Sequence, residues 1–219
     1  MKKIVILGAG GFARELKLLI DIINKEHKQY DFLGYLVSDT NKLIDRDSKD
    51  KVIGDFSWFH SQDEKIAVAL GIGNPQSRLS IANTLSNSFD NIEFPSIIHP
   101  NVIYDASTCL IEKGVIVCAS TILTVNVKLE KFSMLNLACT IGHEAIIGPG
   151  SVLNPTVNIS GGVKIGRSVL VGTGAQVLQY LSIGDNSTVG AGACVTKDLP
   201  NNIVAVGIPA KIINHNEKK

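Results

Sequence analysis

The sequence predicts two folds in one chain, an α/β half domain followed by an all-β solenoid of parallel strands. Three observations support this prediction. In the first 96 residues, apolar segments with strand spacing alternate with segments of helical spacing, and glycine-rich turns follow two of the strands. From about residue 98 onward a six-residue aliphatic repeat replaces that pattern. The chain then reaches a segment rich in proline and glycine, which suits a cap on an open stack of strands.

The six-residue repeat is uninterrupted. One position in every six is Ile, Leu or Val, in the series Ile111, Val117, Leu123, Leu129, Leu135, Ile141, Ile147, Leu153, Ile159, Ile165, Val171, Val177, Ile183, Val189 and Val195. Four residues after most of these stands a small or β-branched residue such as Val115, Cys139 or Ser151. Each hexad therefore supplies one large and one smaller inward side chain. Three hexads make a triangular coil, so residues 109–198 predict five stacked coils.

Hexads of this kind resemble those of the left-handed parallel β-helix, an exception to the right-handed crossover rule. The period does not fix the hand of the coil, so the left hand is what this resemblance implies. We therefore expect a Rossmann-like α/β domain over residues 1–96 and a left-handed β-helix with its C-terminal cap over residues 97–213.

Composition excludes several classes of function. Lys and Arg number 21 against 20 Asp and Glu, so no strong field exists to attract nucleic acid. Apolar runs fall short of the roughly 20 residues that span a bilayer, and the N-terminus is too glycine-rich for a signal peptide, which predicts a cytoplasmic protein without a membrane span. The four cysteines lie in the repeat without C-x-x-C spacing, so we expect buried thiols, no disulfide and no metal site.

The N-terminal domain opens with a glycine turn between a strand and a helix. The strand Lys3 to Leu7 runs into Gly8 to Gly11, and helical spacing begins at Phe12. Such a turn presents backbone N–H groups on which a phosphate can rest. It also fits G-x-G-x-x-A, the motif of NAD- and FAD-binding folds, but a full dinucleotide fold needs two such halves and about twice the length. A nucleotide-linked ligand is favoured, and a purely structural turn stays open.

Two further turns lie at the same predicted edge of the sheet. The strand Phe32 to Val37 ends at Ser38 and Asp39, where a carboxylate can meet a ribose or a base. The strand Ile66 to Leu70 runs into a glycine-rich turn. Open α/β sheets bind ligands at the carboxyl ends of their strands. The residues expected to bind the ligand are Gly8, Gly10, Gly11, Phe12, Ser38, Asp39, Gly73 and Asn74.

One histidine in the repeat stands out. Because Ile141 is the inward residue of its hexad, His143 and Glu144 fall past the corner and point outward. An imidazole can accept a proton near neutral pH, and an adjacent carboxylate can hold its tautomer. From spacing alone, a general base and an incidental surface histidine both remain open.

Several segments together resemble one family along nearly the whole chain. These are the turn Gly8 to Phe12, the hexads, Asn136 seven residues before His143 and Glu144, Ser160 to Gly166, and the closing Val206 to Lys211. They are similar to the sugar acyltransferases grouped with sialic acid O-acetyltransferases and with N-acetyltransferases of nucleotide-linked amino sugars. The glycine-turn domain narrows the resemblance from the wider hexapeptide-repeat superfamily to this group.

The resemblance implies roles for particular residues. The histidine matched by His143 is the general base, the carboxylate matched by Glu144 orients it, and Asn136 lies near the acceptor. Acetyl-CoA, the co-substrate, would lie in a groove between solenoids of a homotrimer, so sites form at subunit interfaces. Its contacts would be Gly161 and Gly162 at the thioester, Gly172 and Ala191 along the pantetheine arm, and Pro209, Ala210 and Lys211 near the adenine.

Two departures from the family pattern concern the acceptor. Many members carry a second histidine nine residues after the base, where this chain has Val152. Many also have a histidine after the glycine turn, where this chain has Phe12. The acyl-transfer residues are kept, but the identity of the acceptor is left open.

The leading hypothesis is an acetyl-CoA-dependent N-acetyltransferase acting on a UDP- or dTDP-linked 4-amino-4,6-dideoxy sugar in bacterial glycan synthesis. An O-acetyltransferase of sialic acid or a related sugar is the alternative within the same family. A solenoid carbonic anhydrase would need three histidine ligands for zinc, whereas residues 100–214 contain one histidine. A non-catalytic scaffold, in which His143 is incidental, is the remaining possibility.

Overall fold

The computed structural model describes residues 1–45 and 48–215, and of Lys42 and His215 the backbone alone. The N-terminal elements are β1 (Lys2–Leu7), α1 (Gly11–Glu26), β2 (Tyr30–Val37), β3 (Val52–Asp55), β4 (Ile66–Leu70), α2 (Pro75–Ser88) and β5 (Ile92–Glu93), with 3-10 turns at Thr40–Lys42, Lys49–Lys51 and Phe56–Ser61. The strands form one parallel sheet in the order β3-β2-β1-β4-β5. The strands β3 and β5, both short, were not predicted.

The two helices cover opposite faces of this sheet. Alternate residues of β1 point to opposite sides, so Ile4 and Ile6 pack against α1 while Val5 and Leu7 pack against α2. The start of α2 is well defined, because Pro75 occupies its first turn and the Asn74 side chain accepts a hydrogen bond from the Ser77 amide at 2.9 Å.

The second part of the chain is a β-helix of the left-handed type, as the fold prediction required. Its two-residue strands are β6 (Ile97–Ile98), β7 (Leu110–Ile111), β8 (Ile116–Val117), β9 (Ile122–Leu123), β10 (Lys128–Leu129), β11 (Met134–Leu135), β12 (Thr140–Ile141), β13 (Ile146–Ile147), β14 (Val152–Leu153), β15 (Asn158–Ile159), β16 (Lys164–Ile165), β17 (Leu170–Val171), β18 (Gln176–Val177), β19 (Ser182–Ile183), β20 (Thr188–Val189) and β21 (Cys194–Val195). The cap adds β22 (Ile203–Val206) and β23 (Lys211–His215), an antiparallel pair.

The prism has three faces, named here in chain order. The first face holds β6, β8, β11, β14, β17, β20, β22 and β23, the second holds β9, β12, β15, β18 and β21, and the third holds β7, β10, β13, β16 and β19. The first corner, at residues 118–120, 136–138, 154–156, 172–174 and 190–192, joins the first face to the second. The second corner, at 124–126, 142–144, 160–162 and 178–180, joins the second to the third. The third corner, at 112–114, 130–132, 148–150, 166–168 and 184–186, leads back to the first.

The aliphatic repeat forms the interior of the prism. The large and small residues of each hexad make one continuous buried cluster, with Ile111 at its partly open end. Five coils are present, as the 18-residue spacing between paired strands shows: Leu135 pairs with Val117 before it and with Leu153 after it. The third residue of each of these corners has a positive φ, which turns the chain tightly enough to start the next face.

The α/β domain packs against the first face of the prism. Buried residues of α1 share one apolar cluster with the outward side chains of that face, among them Ile116, Met134 and Val152. On the other side, Leu79 of α2 lies against Gly150 at the third corner. The domain therefore covers the first face from one corner to the other.

Arg78 joins the two parts of the chain at this contact. Its side chain is fully buried and donates from Nε to the Phe132 carbonyl at 2.6 Å and from Nη1 to the carbonyls of Leu70 at 2.7 Å and Ile72 at 3.2 Å. Among the described residues its Nη2 has no partner. Burial without a carboxylate lowers the pKa of Arg78 to about 9. One side chain thus ties the turn after β4 to a corner of the β-helix.

The cysteines correct one expectation. Cys139 is buried inside the prism, and burial raises the pKa of its thiol to about 11. Cys118 is also buried, but against the α/β domain, and there burial raises its pKa to about 12. Cys109 and Cys194 are partly exposed, contrary to the prediction of four buried thiols.

Three features concern the termini and surfaces. The predicted polar tail, residues 215–219, begins one residue too early, because His215 pairs with Ile203 in the cap, and residues 216–219 lie outside the described part of the chain. Within residues 1–45 and 48–215, no helix is long and apolar enough to cross a bilayer. The same residues contain no group of three His, Cys, Asp or Glu side chains placed to hold a metal ion.

Candidate active site

His143 lies at the second corner of the prism, directly after β12. Ile141 ends that strand pointing inward, so the next residues turn the corner and His143 faces solvent. The corner is fixed by backbone hydrogen bonds to the coils on both sides: the Glu144 amide donates to the Val125 carbonyl at 3.0 Å, and the Gly162 amide donates to the His143 carbonyl at 2.7 Å. The side chains of His143 and Glu144 are 52% and 60% exposed, so both are open to a ligand.

Glu144 lies beside one ring nitrogen of His143. Nδ1 is 3.6 Å from Oε2 of Glu144, which is longer than a hydrogen bond but short enough for a small rotation of either side chain to close it. Glu144 can therefore hold the proton on Nδ1, which leaves Nε2 as the nitrogen able to accept a proton from a ligand.

The imidazole rests on Gly161, which lies one coil further along the same corner. A Cβ at Gly161 would overlap Cε1 and Nε2 of the ring. A Cβ at Gly142 would likewise lie 2.5 Å from the Gly161 nitrogen. Because these two glycines carry no side chain, the imidazole of His143 can lie against Gly161, and the backbone of Gly142 can lie close to that of Gly161. No acceptor for the Gly161 amide is present in the described residues, so a proton acceptor and a free N–H donor lie side by side.

The other residues expected to bind a cofactor lie elsewhere. Gly172 and Ala191 are stacked at the first corner, where a Cβ on Gly172 would lie 2.5 Å from the Ala191 nitrogen. The stretch 209–211 belongs to the cap, and the Ala210 amide donates to the Cys194 carbonyl at 2.7 Å. Within one chain, the fold brings His143 and Gly161 together at the second corner. Gly172 and Ala191 lie at the first corner, separated from them by the second face of the prism.

Asn136 also lies at the first corner. Its side chain is 9% exposed, and Oδ1 accepts a hydrogen bond from the Leu137 amide at 2.8 Å. The second face separates it from His143. In a single copy, the two residues therefore do not meet.

A cavity opens at the carboxyl edge of the N-terminal sheet. Its lining consists of Gly8, Ala9, Val37, Ser38, Asp39, Leu43, Phe56, Ile72 and Ile81. Three of the predicted ligand residues, Gly8, Ser38 and Asp39, are among them. The apolar wall was not predicted, because its members come from separate loops and helices with no common spacing.

The glycine turn beside this cavity has the geometry of a phosphate site. Gly8 has a φ of +93°, and a Cβ there would lie 3.0 Å from the Gly71 carbonyl oxygen, so the turns after β1 and β4 touch. Helix α1 begins at Gly11 with Gly10 as its cap, without a capping side chain or an acidic residue in the first turn. Its first amides therefore remain available to an anion. Gly73 is exposed, with open space where a Cβ would lie, and Asn74 caps α2.

The cavity and His143 lie on opposite sides of one protomer. The α/β domain covers the first face, and the second corner is the edge of the prism opposite that face. Val152, one of the departures from the family pattern, is fully buried on the first face in the apolar cluster that Phe12 borders. Both departures therefore lie at the contact between the α/β domain and the first face, away from His143 of the same chain.

Fold and site define a class of protein: a β-helix with a histidine and a free amide at one corner, preceded by an α/β domain with a ligand cavity. Comparison with known proteins agrees with this class. Residues 3–85 match the family model for the PglD N-terminal domain. WeeI from Acinetobacter baumannii AYE has 26% identity and a TM-score of 0.83, with 97% of this chain and 100% of that chain covered.

Two further relatives extend the comparison. A mutant of perosamine N-acetyltransferase from Caulobacter crescentus, solved with CoA and GDP-perosamine, has a TM-score of 0.84 at 24% identity, with 98% of each chain covered. Galactoside O-acetyltransferase from Escherichia coli K12 is 36% identical over 86 residues, which are 34% of this chain and 42% of that protein. The chain thus spans less than half the length of this curated relative. The chain is thus similar to hexapeptide-repeat acetyltransferases, and residues 3–85 match the PglD N-terminal domain.

Proposed function

We propose that this protein is an acetyl-CoA-dependent N-acetyltransferase that acts on a nucleotide-linked amino sugar, a UDP- or dTDP-4-amino-4,6-dideoxy sugar, in bacterial glycan biosynthesis. Residues 1–96 form its acceptor domain and residues 97–213 its acyl-transfer domain. The observation that carries the proposal is the exposed imidazole of His143 resting on Gly161, whose amide is free among the described residues.

The chemistry needs no covalent enzyme intermediate. The sugar amine attacks the thioester carbon while Nε2 of His143 takes the proton that the nitrogen loses, and Glu144 stabilises the imidazolium. The carbonyl electrons move to oxygen, which the Gly161 N–H stabilises. Removal of one such donor typically costs about 10² to 10³ in rate. When the C–S bond breaks, the CoA thiolate takes the proton from His143.

The N-terminal cavity suits the nucleotide part of the acceptor. Its apolar residues, such as Phe56 and Ile81, can cover a base, and the carboxylate of Asp39 can accept a hydrogen bond from a ribose or base donor. The uncapped start of α1 can hold the phosphates.

The proposed site needs more than one copy of the chain. In one protomer the acceptor cavity lies across the prism from His143, and Gly172 and Ala191 lie one face away from Gly161. A homotrimer in which the second corner of one protomer faces the first corner of its neighbour would unite them. Acetyl-CoA would then lie between the two, with Gly161 and Gly162 on one side, and Asn136, Gly172, Ala191 and the cap residues Pro209 to Lys211 on the other.

The reaction can be tested with acetyl-CoA and a panel of UDP-, dTDP- and GDP-linked 4-amino sugars, measuring free thiol release. The wild-type protein should acetylate at least one amino sugar, and His143→Ala should lower kcat by about 10² to 10⁴. Lys28→Ala, which alters an exposed residue in the turn between α1 and β2, at the amino edge of the sheet, is the control. An unchanged rate in His143→Ala would reject the assigned base.

Mixing two inactive variants tests the shared site. His143→Ala removes the base, and Ser38→Trp fills the cavity from an exposed position. Suppose that each site takes its acceptor cavity from one copy and its base from another. Refolding an equimolar mixture of the two variants should then restore about one quarter of the sites, because half of the cavities and half of the bases are intact and they pair at random. If the two variants form mixed oligomers and the mixture stays inactive, a site shared between copies of the chain is contradicted.

O-acetylation of sialic acid or a related sugar is the second candidate. The match to galactoside O-acetyltransferase favours it, because the same base can deprotonate a hydroxyl. Adding free sialic acid and hydroxyl sugars to the panel distinguishes the two: transfer to these, with none to amino sugars, would show that the protein is an O-acetyltransferase.

A further inference from the structure

Tyr180 occupies a position in the repeat that seldom holds a large side chain. The third residue of a corner adopts the left-handed conformation, which is costly for a bulky residue. At most corners that residue is glycine, asparagine or another small or polar residue, and the aromatic ones are Phe132, with a φ of 63°, and Tyr180, with a φ of 59°.

Burial accounts for Phe132 but not for Tyr180. Phe132 is 1% exposed and packs edge-on against Phe94, with ring centroids 5.1 Å apart. Tyr180 is 69% exposed. In the described part of the chain, its hydroxyl forms no hydrogen bond, and its ring rests on Gly162, where a Cβ would overlap the ring. An exposed aromatic side chain held in a strained conformation with so little packing points to a contact outside the protomer.

The location of Tyr180 identifies that contact. It lies at the second corner, one coil beyond Gly161 and Gly162, and its amide donates to the Gly161 carbonyl at 2.9 Å. The glycine pair therefore lies between two rings, with His143 on the preceding coil and Tyr180 on the following one. Adjacent coils are about 4.8 Å apart, so a carbonyl oxygen bound to the Gly161 amide would lie beside both rings.

The neighbourhood of Tyr180 is apolar. Leu178, at the same corner, is 44% exposed, and Val125 at the corner one coil before His143 is 46% exposed. An alkyl thioester arm running along this edge would pass apolar side chains on both sides of the imidazole, whereas a phosphate or a sugar would gain little from them.

We propose that Tyr180 is a cofactor-contacting residue that packs its ring against the acyl-thioester end of acyl-CoA, on the side away from the attacking amine, and so positions the carbonyl at Gly161. This inference rests on the proposed function. The ring supplies the contact, and the hydroxyl is dispensable.

Calorimetric titration with CoA and with acetyl-CoA, together with steady-state kinetics, tests this role. Tyr180→Ala should weaken binding of acetyl-CoA by about tenfold and raise its KM similarly, while the KM of the sugar acceptor stays within twofold of wild type. Tyr180→Phe should bind acetyl-CoA as wild type does. Tyr104→Ala, which removes another exposed tyrosine, from the segment between β6 and β7, is the matched control.

The possible outcomes distinguish failure of the proposed function from failure of the role of Tyr180. If the wild-type protein binds no CoA, both the proposed function and the role of Tyr180 are overturned. If wild type binds acetyl-CoA and Tyr180→Ala binds it equally well, the role of Tyr180 alone is rejected. If Tyr180→Ala changes the oligomer on size-exclusion chromatography, the ring belongs to an interface between copies and the proposal is wrong.

Discussion

Replacing Gly161 by alanine tests the geometry on which the proposed catalysis depends. The new methyl group would overlap Cε1 and Nε2 of His143. Nonbonded carbons rest at about 3.5 to 4.0 Å, so the ring would have to move by more than about 1 Å. The backbone of Gly161 is outside the left-handed region, so alanine is tolerated there and the fold should remain.

The expected magnitude follows from this displacement. A shift of about 1 Å in a catalytic group costs about 10²-fold in rate, and a weaker oxyanion contact adds to that loss. We therefore expect Gly161→Ala to lower kcat by at least about 10²-fold, which corresponds to about 2.7 kcal/mol. The midpoint of thermal unfolding should change by no more than about 3 °C.

The assay is thiol release from acetyl-CoA with a saturating acceptor, combined with thermal unfolding followed by circular dichroism. Gly174→Ala is the control for kcat, because its Cβ would lie 3.8 Å from the Thr156 hydroxyl, an ordinary contact. Its φ of +70° lies in the left-handed region, which Ala138 adopts at the same corner, so a small loss of stability is expected without a loss of rate. A kcat for Gly161→Ala within threefold of wild type would refute the assigned positions of the base and the oxyanion donor.

Three further predictions concern the rest of the molecule. Asp39→Asn should weaken nucleotide-sugar binding by about tenfold, because a hydrogen bond to a charged acceptor is lost, and calorimetry should show acetyl-CoA affinity unchanged. Arg78→Met leaves three backbone carbonyls without their donor and should lower the free energy of unfolding by about 2 to 4 kcal/mol. Urea unfolding at fixed protein concentration checks this, and an equally stable variant would mean that relief of the buried charge offsets the lost bonds. Burial raises the pKa of Cys118 to about 12 and of Cys139 to about 11, so at pH 8 both thiols stay protonated, and mass spectrometry should find iodoacetamide on the two partly exposed cysteines first.

The sequence predicted the β-helix well because its signal is strictly periodic. The inward position of Ile141 places His143 outside, and that deduction needs only the period of six. In the N-terminal domain, β1, β2 and β4 were long enough to predict, whereas β3 and β5 have four and two residues and show no alternation.

Parts of the site lay beyond what the sequence pattern can indicate. The cavity wall contains Leu43, Phe56, Ile72 and Ile81, which come from separate segments and meet only in the folded sheet. Arg78 stood in a predicted helix, but an arginine is rarely buried without a carboxylate, and its acceptors are main-chain carbonyls that carry no residue signature. Contacts between segments distant in the chain therefore account for most of what was missed.

The coil of three hexads also constrains how such a chain can change in length. Adding eighteen residues ahead of the imidazole would lift it by one strand spacing, about 4.8 Å, while keeping it on the same edge of the prism. Adding six at the same place would carry the imidazole and the Gly161 amide together to another edge, a third of a turn from their present position relative to the α/β domain. Lengthening by whole coils ahead of the site thus keeps the site on its present edge, whereas a single extra hexad between the base and the donor would place them on different edges.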